Sequence, residues 1–142
     1  MTEATVLSLA APESLERSRL TVTCGDLARS LAGRFVTALG AETALSLDRV
    51  EEACLVAEAL ADRCGDLTPD GELQLAVAVH AQRLELRVGP LQRGSAQRLL
   101  AGDAGGPGGG AIRRLATSID VRQLRGETDV LVVVVAAHPI AA

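Results

Sequence analysis

Residues Asp129 to Ala136 run Asp-Val-Leu-Val-Val-Val-Val-Ala, an apolar stretch with no polar residue alternating through it. A segment this rich in β-branched residues favours extended chain, and it is far shorter than the roughly 20 apolar residues a membrane span requires. A strand apolar on both faces belongs in the interior of a sheet, so Val130 to Val135 are predicted to lie centrally. Two neighbours are readable upstream. Leu73, Leu75, Val77 and Val79 alternate with Glu72, Gln74, Ala76 and Ala78, and Leu84, Leu86 and Val88 alternate with Arg83, Glu85 and Arg87. That period of two marks half-buried strands, and His80-Ala-Gln82 between them is short enough to be a hairpin loop. Val121 to Leu124 reads as a further strand, joined to the apolar run by the turn Gly126-Glu-Thr128. Thr5 to Leu9, followed by Ala-Pro, reads as a first strand ended by a turn.

The rest of the chain alternates helix and glycine. Ser14 is a candidate cap for helix over Leu15 to Leu39, where Leu20, Leu27, Leu31, Val36 and Leu39 recur at helical spacing; Gly25 and Gly33 should bend it or split it in two. A clearer helix begins after Ser46 or Asp48, carries Glu51 and Glu52 near its positive end, and stops at Cys64-Gly65. Its buried stripe is Val50, Ala53, Cys54, Ala57, Leu60, Ala61 and Cys64. Gly89 to Gly110 holds eight of the 14 glycines together with Pro90 and Pro107, and reads as a long loop or lid around a small amphipathic patch, Ala96 to Ala101. Ala111 to Ser118 follows as a short helix. The order predicts an α/β chain: a two-layer sandwich with helices on one face of a mixed, mostly antiparallel sheet, one domain over 1–142 with a tail at 137–142.

Composition removes several chemistries. All 14 cationic side chains are Arg, and Lys, Asn, Trp and Tyr are absent, so there is no Walker-A lysine, no Schiff base and no aromatic platform for stacking single strands. Phe35 is the only aromatic residue, which leaves the core to Leu, Val, Ile and Ala. A net charge of -4 argues against holding nucleic acid by its phosphates. Cys24, Cys54 and Cys64 are odd in number and show no C-x-x-C spacing, so they read as small apolar residues in a reducing cytoplasm rather than as a disulfide framework or zinc site. Neither a basic-then-apolar leader nor a membrane span is readable, and a cytoplasmic location is expected. His80 and His138 lack a nucleophile nearby, which makes a hydrolytic triad an unpromising reading.

Three local boxes, together with element order and length over residues 5 to 136, carry a resemblance. Leu55-Val-Ala-Glu-Ala-Leu-Ala-Asp62 sets Glu58 and Asp62 one helical turn apart; Gly89 follows the hairpin in Arg87-Val-Gly-Pro-Leu91; and Gly105-Gly-Pro-Gly-Gly-Gly110 leads into Ala111-Ile-Arg-Arg-Leu115. In these features the chain resembles the GHKL, or histidine-kinase-like, ATPase fold, and within it the bacterial anti-sigma factors that double as serine kinases. The resemblance implies Glu58 as the catalytic acidic residue, Asp62 where the magnesium-holding Asn is expected, Gly89 as a nucleotide-box glycine, and Gly108, Gly109 and Gly110 as the phosphate cradle, with Arg113 and Arg114 beside it. It also implies a homodimer whose partners are a sigma factor and an antagonist of the STAS type. Two departures stand out: the chain has no Asn, and no Asp lies between Asp70 and Asp103 to read adenine. The reading favoured is therefore a protein-binding regulator with a degenerate nucleotide site and no cofactor. The alternative is an active kinase using Mg-ATP. Arg17, Arg19, Arg29 and Arg34, along the first helical region, are the candidate contact surface.

Overall fold

The computed structural model describes residues 17–101 and 108–138. Five strands form one sheet, β1 (Arg17–Thr23), β2 (Glu72–His80), β3 (Arg83–Gln92), β4 (Ser118–Leu124) and β5 (Thr128–Ala136), in the order β1-β2-β3-β5-β4. Every neighbouring pair is antiparallel, so the sheet is not mixed as expected. The apolar run is indeed a strand paired on both edges, but β3 is the middle strand and β5 lies one place from the edge.

Among the described residues five helices accompany the sheet: α1 (Ala28–Gly40), α2 (Leu47–Asp62), α3 (Cys64–Leu67), α4 (Ser95–Ala101) and α5 (Gly108–Leu115). One continuous core joins them to a single sheet face, where Leu73, Leu75, Leu84, Leu86, Leu131 and Val133 meet Val36, Val56, Leu60 and Ile112. Ser46 caps α2 as expected, its hydroxyl accepting from the Arg49 amide at 3.1 Å. Gly33 does not break the helix. It sits inside α1 on the side facing α2, where an added Cβ would come within 2.6 Å of Glu58 Oε2 and 3.1 Å of Cys54 Sγ. Gly40, two turns on, faces Val50 in the same way, so small residues let the two helices approach closely.

Two expectations are corrected, and one falls outside the described residues. Residues 17–23, predicted as the start of a helix, form edge strand β1: Leu20 and Val22 face the core while Arg19, Thr21 and Thr23 are exposed, a period of two that the helical spacing of leucines concealed. The predicted strand Thr5 to Leu9 and the Ser14 cap lie outside the described residues. The glycine-rich stretch is not one loop, because Gly89 to Gln92 extend β3, Ser95–Ala101 is helical, and Gly108–Gly110 open α5.

The cause is a pair of buried anchors. Leu91 and Leu99 are buried in the core, and the fully buried Asp129 carboxylate accepts from the Gly94 amide at 3.0 Å, fixing the turn between β3 and α4. Ser95 closes the same turn by donating to the Gln92 carbonyl at 2.7 Å. Arg93 lies 3.1 Å from Asp129, supplying the countercharge that a buried carboxylate needs.

Candidate functional site

Glu58 and Asp62 lie one turn apart on α2, and the structure brings them together at a cleft of about 330 Å³ between α1, α2 and α5. Leu55, Ala59 and Leu115 make its apolar wall; Arg29, Arg63 and Arg114 make its basic rim. Arg29, projecting from the first turn of α1, spans both carboxylates, with guanidinium nitrogens 3.6 Å from Glu58 and 3.4 Å from Asp62. Arg63 turns away to Asp66 at 3.4 Å.

Glu58 is half-buried, and its Oε2 also accepts from the Cys54 thiol at 3.5 Å. Burial pushes the Cys54 thiol up from its ordinary range, a hydrogen bond with Thr37 works against that, and the neighbouring Glu58 charge reinforces it. Cys54 is therefore a protonated donor rather than a nucleophile at neutral pH. A general base must have a free lone pair within reach of its proton, and a magnesium ligand must face an open coordination position. Both carboxylates instead face a guanidinium. Among the described residues no group of three or more His, Cys, Asp or Glu converges at one point.

The glycines implied by the resemblance are placed elsewhere. Gly89 lies on β3 beside a break in the β3–β5 register between Val88 and Leu91, where a Cβ would meet the Asp129 carbonyl oxygen and Val130 Cγ2 at 3.0 Å each. Its absent side chain permits close strand approach. Continuing the alternation of Glu85 and Arg87, it belongs to the sheet face remote from Glu58. Gly108, Gly109 and Gly110 form the first turn of α5 rather than a loop, and the cleft wall is made by Ala111, Arg114 and Leu115 further along that helix.

Two constellations escaped the sequence reading. The first is Arg49, buried to 4% and donating to the carbonyls of Ala136 and Leu115 at 2.6 Å each, to Thr117 Oγ1 at 2.9 Å and to Glu52 at 2.8 Å. That hydrogen bond holds the Glu52 carboxyl below the usual carboxylate range against the opposing effect of burial, helped by the charges of Arg49 and His138. An arginine in the first turn of an amphipathic helix looks like a solvated residue, so nothing local announced it.

The second is a disulfide between Cys24 and Cys64, with Cα atoms 5.5 Å apart and a separation of 40 positions in sequence. It corrects the reading of these cysteines as unpaired apolar residues and removes the argument that they made for a reducing compartment. The bond ties the end of β1 to the start of α3, beside a depression also lined by Arg29 and Asp62. No helix among the described residues is long and apolar enough to cross a membrane. A scan against protein-family models and a search of the curated proteins return no match to this chain.

Proposed function

We propose that the chain is a regulatory protein-binding module on the histidine-kinase-like ATPase fold, acting as anti-sigma factors of that fold act, with a cleft that no longer performs nucleotide chemistry. The observation that carries this reading is Arg29, which occupies both Glu58 and Asp62 with one guanidinium. The succession strand, three helices, hairpin, two helices, hairpin supports the fold assignment, being close to the element order on which the resemblance rests. The absence of Asn from the chain supports the loss of metal chemistry. In this reading the partner is a sigma factor or a STAS-domain antagonist, met by a homodimer.

Calorimetric titration of the full chain with Mg-ATP tests it. The expected result is no binding tighter than about 1 mM, equivalent to roughly 4 kcal/mol. A micromolar dissociation constant, or transfer of phosphate to a serine of a STAS-domain protein, would overturn the degenerate-site reading in favour of an active kinase. Capture of purified sigma factors and STAS-domain antagonists as defined baits tests the partner class, and failure with both sets removes it.

A further inference from the structure

The homodimer invoked above needs a contact surface, and strand β4 offers one. β1 and β4 are the two edges of the sheet, and among the described residues neither has a neighbour on its outer side. A regular edge is a template for another strand, because its outer row of amides and carbonyls is unpaired. β4 is such an edge: Ser118–Leu124 has no Gly or Pro and keeps an unbroken register with β5, from Ser118 opposite Val134 to Leu124 opposite Thr128. Ile119 and Val121 pack against the core but stay only partly buried. Asp120 and Arg122 alternate with them on the face that no described helix covers, 58% and 55% exposed and 2.8 Å apart.

Two copies of one strand that pair antiparallel about a two-fold axis must set one residue opposite its own copy, and that residue fixes the register. Centring on Asp120 opposes two carboxylates, and centring on Arg122 opposes two guanidiniums; like charges directly across a ladder are destabilising. Centring on Ile119 leaves Asp120 opposite Ser118, and centring on Gln123 leaves Arg122 opposite Leu124, with most of the strand unpaired. Centring on Val121 sets Asp120 opposite Arg122 on both sides of the axis, Ile119 opposite Gln123 and Ser118 opposite Leu124, so the whole of each strand is used. Each carboxylate then lies between two guanidiniums, one on its own strand and one on the other copy.

β1 is the opposite case. It carries Arg17 and Arg19 on one face and no carboxylate, so a second copy of β1 laid against it would add cations to cations. β4 matches itself, and β1 does not. Exposed ion pairs contribute little to affinity, so Asp120 and Arg122 select the partner and the register. The binding energy comes from the backbone ladder and from completing the burial of Ile119 and Val121.

We propose that two copies of the chain pair along β4, antiparallel about Val121, joining their five-stranded sheets into one continuous sheet. The pairing rests on the homodimer of the proposed function and names the surface that forms it. A contact of one short strand from each copy is small, so the dimer is in exchange with monomer.

Sedimentation equilibrium of the full chain tests it, with an expected dissociation constant of about 1 to 100 µM. Asp120→Arg and Arg122→Asp, each at an exposed position, oppose like charges across the axis and are expected to weaken the dimer at least about tenfold while the far-ultraviolet circular dichroism stays unchanged. An equal mixture of the two single variants is expected to regain the parent affinity, because every cation then faces a carboxylate of the other chain. Val121→Cys reads the register: a residue opposite its own copy has Cα atoms about 5 Å apart, within disulfide reach, so oxidation is expected to link position 121 to itself, and Ile119→Cys to give no such link. A parent chain still monomeric at about 1 mM overturns the pairing and the homodimer together. A dimer indifferent to both charge variants, or linked through position 119 and not 121, overturns the β4 pairing and leaves the homodimer standing. The Mg-ATP titration is untouched by either result.

Discussion

Arg49 and Arg29 both clamp α2 to its neighbours, one near each end of the helix, yet they do opposite work. Arg49 is 4% exposed and donates to two backbone carbonyls, a threonine and a glutamate, each at 2.9 Å or less. Arg29 is 59% exposed and faces only carboxylates, at 3.4 and 3.6 Å. An arginine that satisfies buried carbonyls is part of the fold, because its removal strands acceptors that water cannot reach. An exposed arginine spread across two carboxylates, one of them half exposed, is a charge setting, tunable at little structural cost. The two ends of α2 therefore separate stability from cleft chemistry.

The largest effect expected is at the buried end. Arg49→Ala should cost about 4 to 5 kcal/mol, since it orphans the Leu115 and Ala136 carbonyls and Thr117 Oγ1 together. Urea denaturation checks this. A loss below about 1 kcal/mol would show that water replaces the guanidinium and that Arg49 is no anchor.

Next in size is the Cys24–Cys64 bond at the other end of the helix. Closing 40 residues of chain restricts the unfolded state enough to contribute about 2 to 4 kcal/mol. Denaturation with and without a phosphine reductant should differ by that amount, and the Cys24→Ser, Cys64→Ser double variant should match the reduced protein and lose all sensitivity to reductant. Equal midpoints in all four conditions would mean that the bond does not form.

How much of this was legible in the sequence follows from what each feature depends on. The hairpin of β2 and β3, strand β5 and helix α2 with its Ser46 cap are local: alternation, β-branching and a capping hydroxyl declare themselves within a dozen residues. Edge strand β1 was hidden because its leucines also satisfy a helical spacing that continues into α1, and only pairing with β2 decides between the two. The residues after Gly89 were hidden because their order comes from Asp129, 35 positions away along the chain from Gly94. The site divides in the same way. Glu58 and Asp62 meet because they share a helix turn, which spacing predicts. Arg29 and the Cys24–Cys64 bond reach that end of α2 from the other side of the α1 helix junction, and no spacing rule joins them to it.

The smallest stability effect, and the most informative chemical one, is expected from Arg29→Ala. Both of its ion pairs are at the mouth of the cleft, Asp62 is half exposed, and pairs of this kind contribute from zero to about 1 kcal/mol. The thermal transition should therefore move by no more than a few degrees. The substitution leaves Glu58 and Asp62 one turn apart without the guanidinium that spans them. Two free carboxylates facing one cleft present hard oxygen donors to a divalent ion. Titration with Mn²⁺, followed by water-proton relaxation, should detect weak binding in the variant and none in the parent chain. Equal relaxation in both would mean that the geometry of α2, rather than the Arg29 charge, excludes the ion. A loss of more than about 2 kcal/mol would instead make Arg29 an anchor like Arg49, and the contrast between the two ends of the helix would disappear.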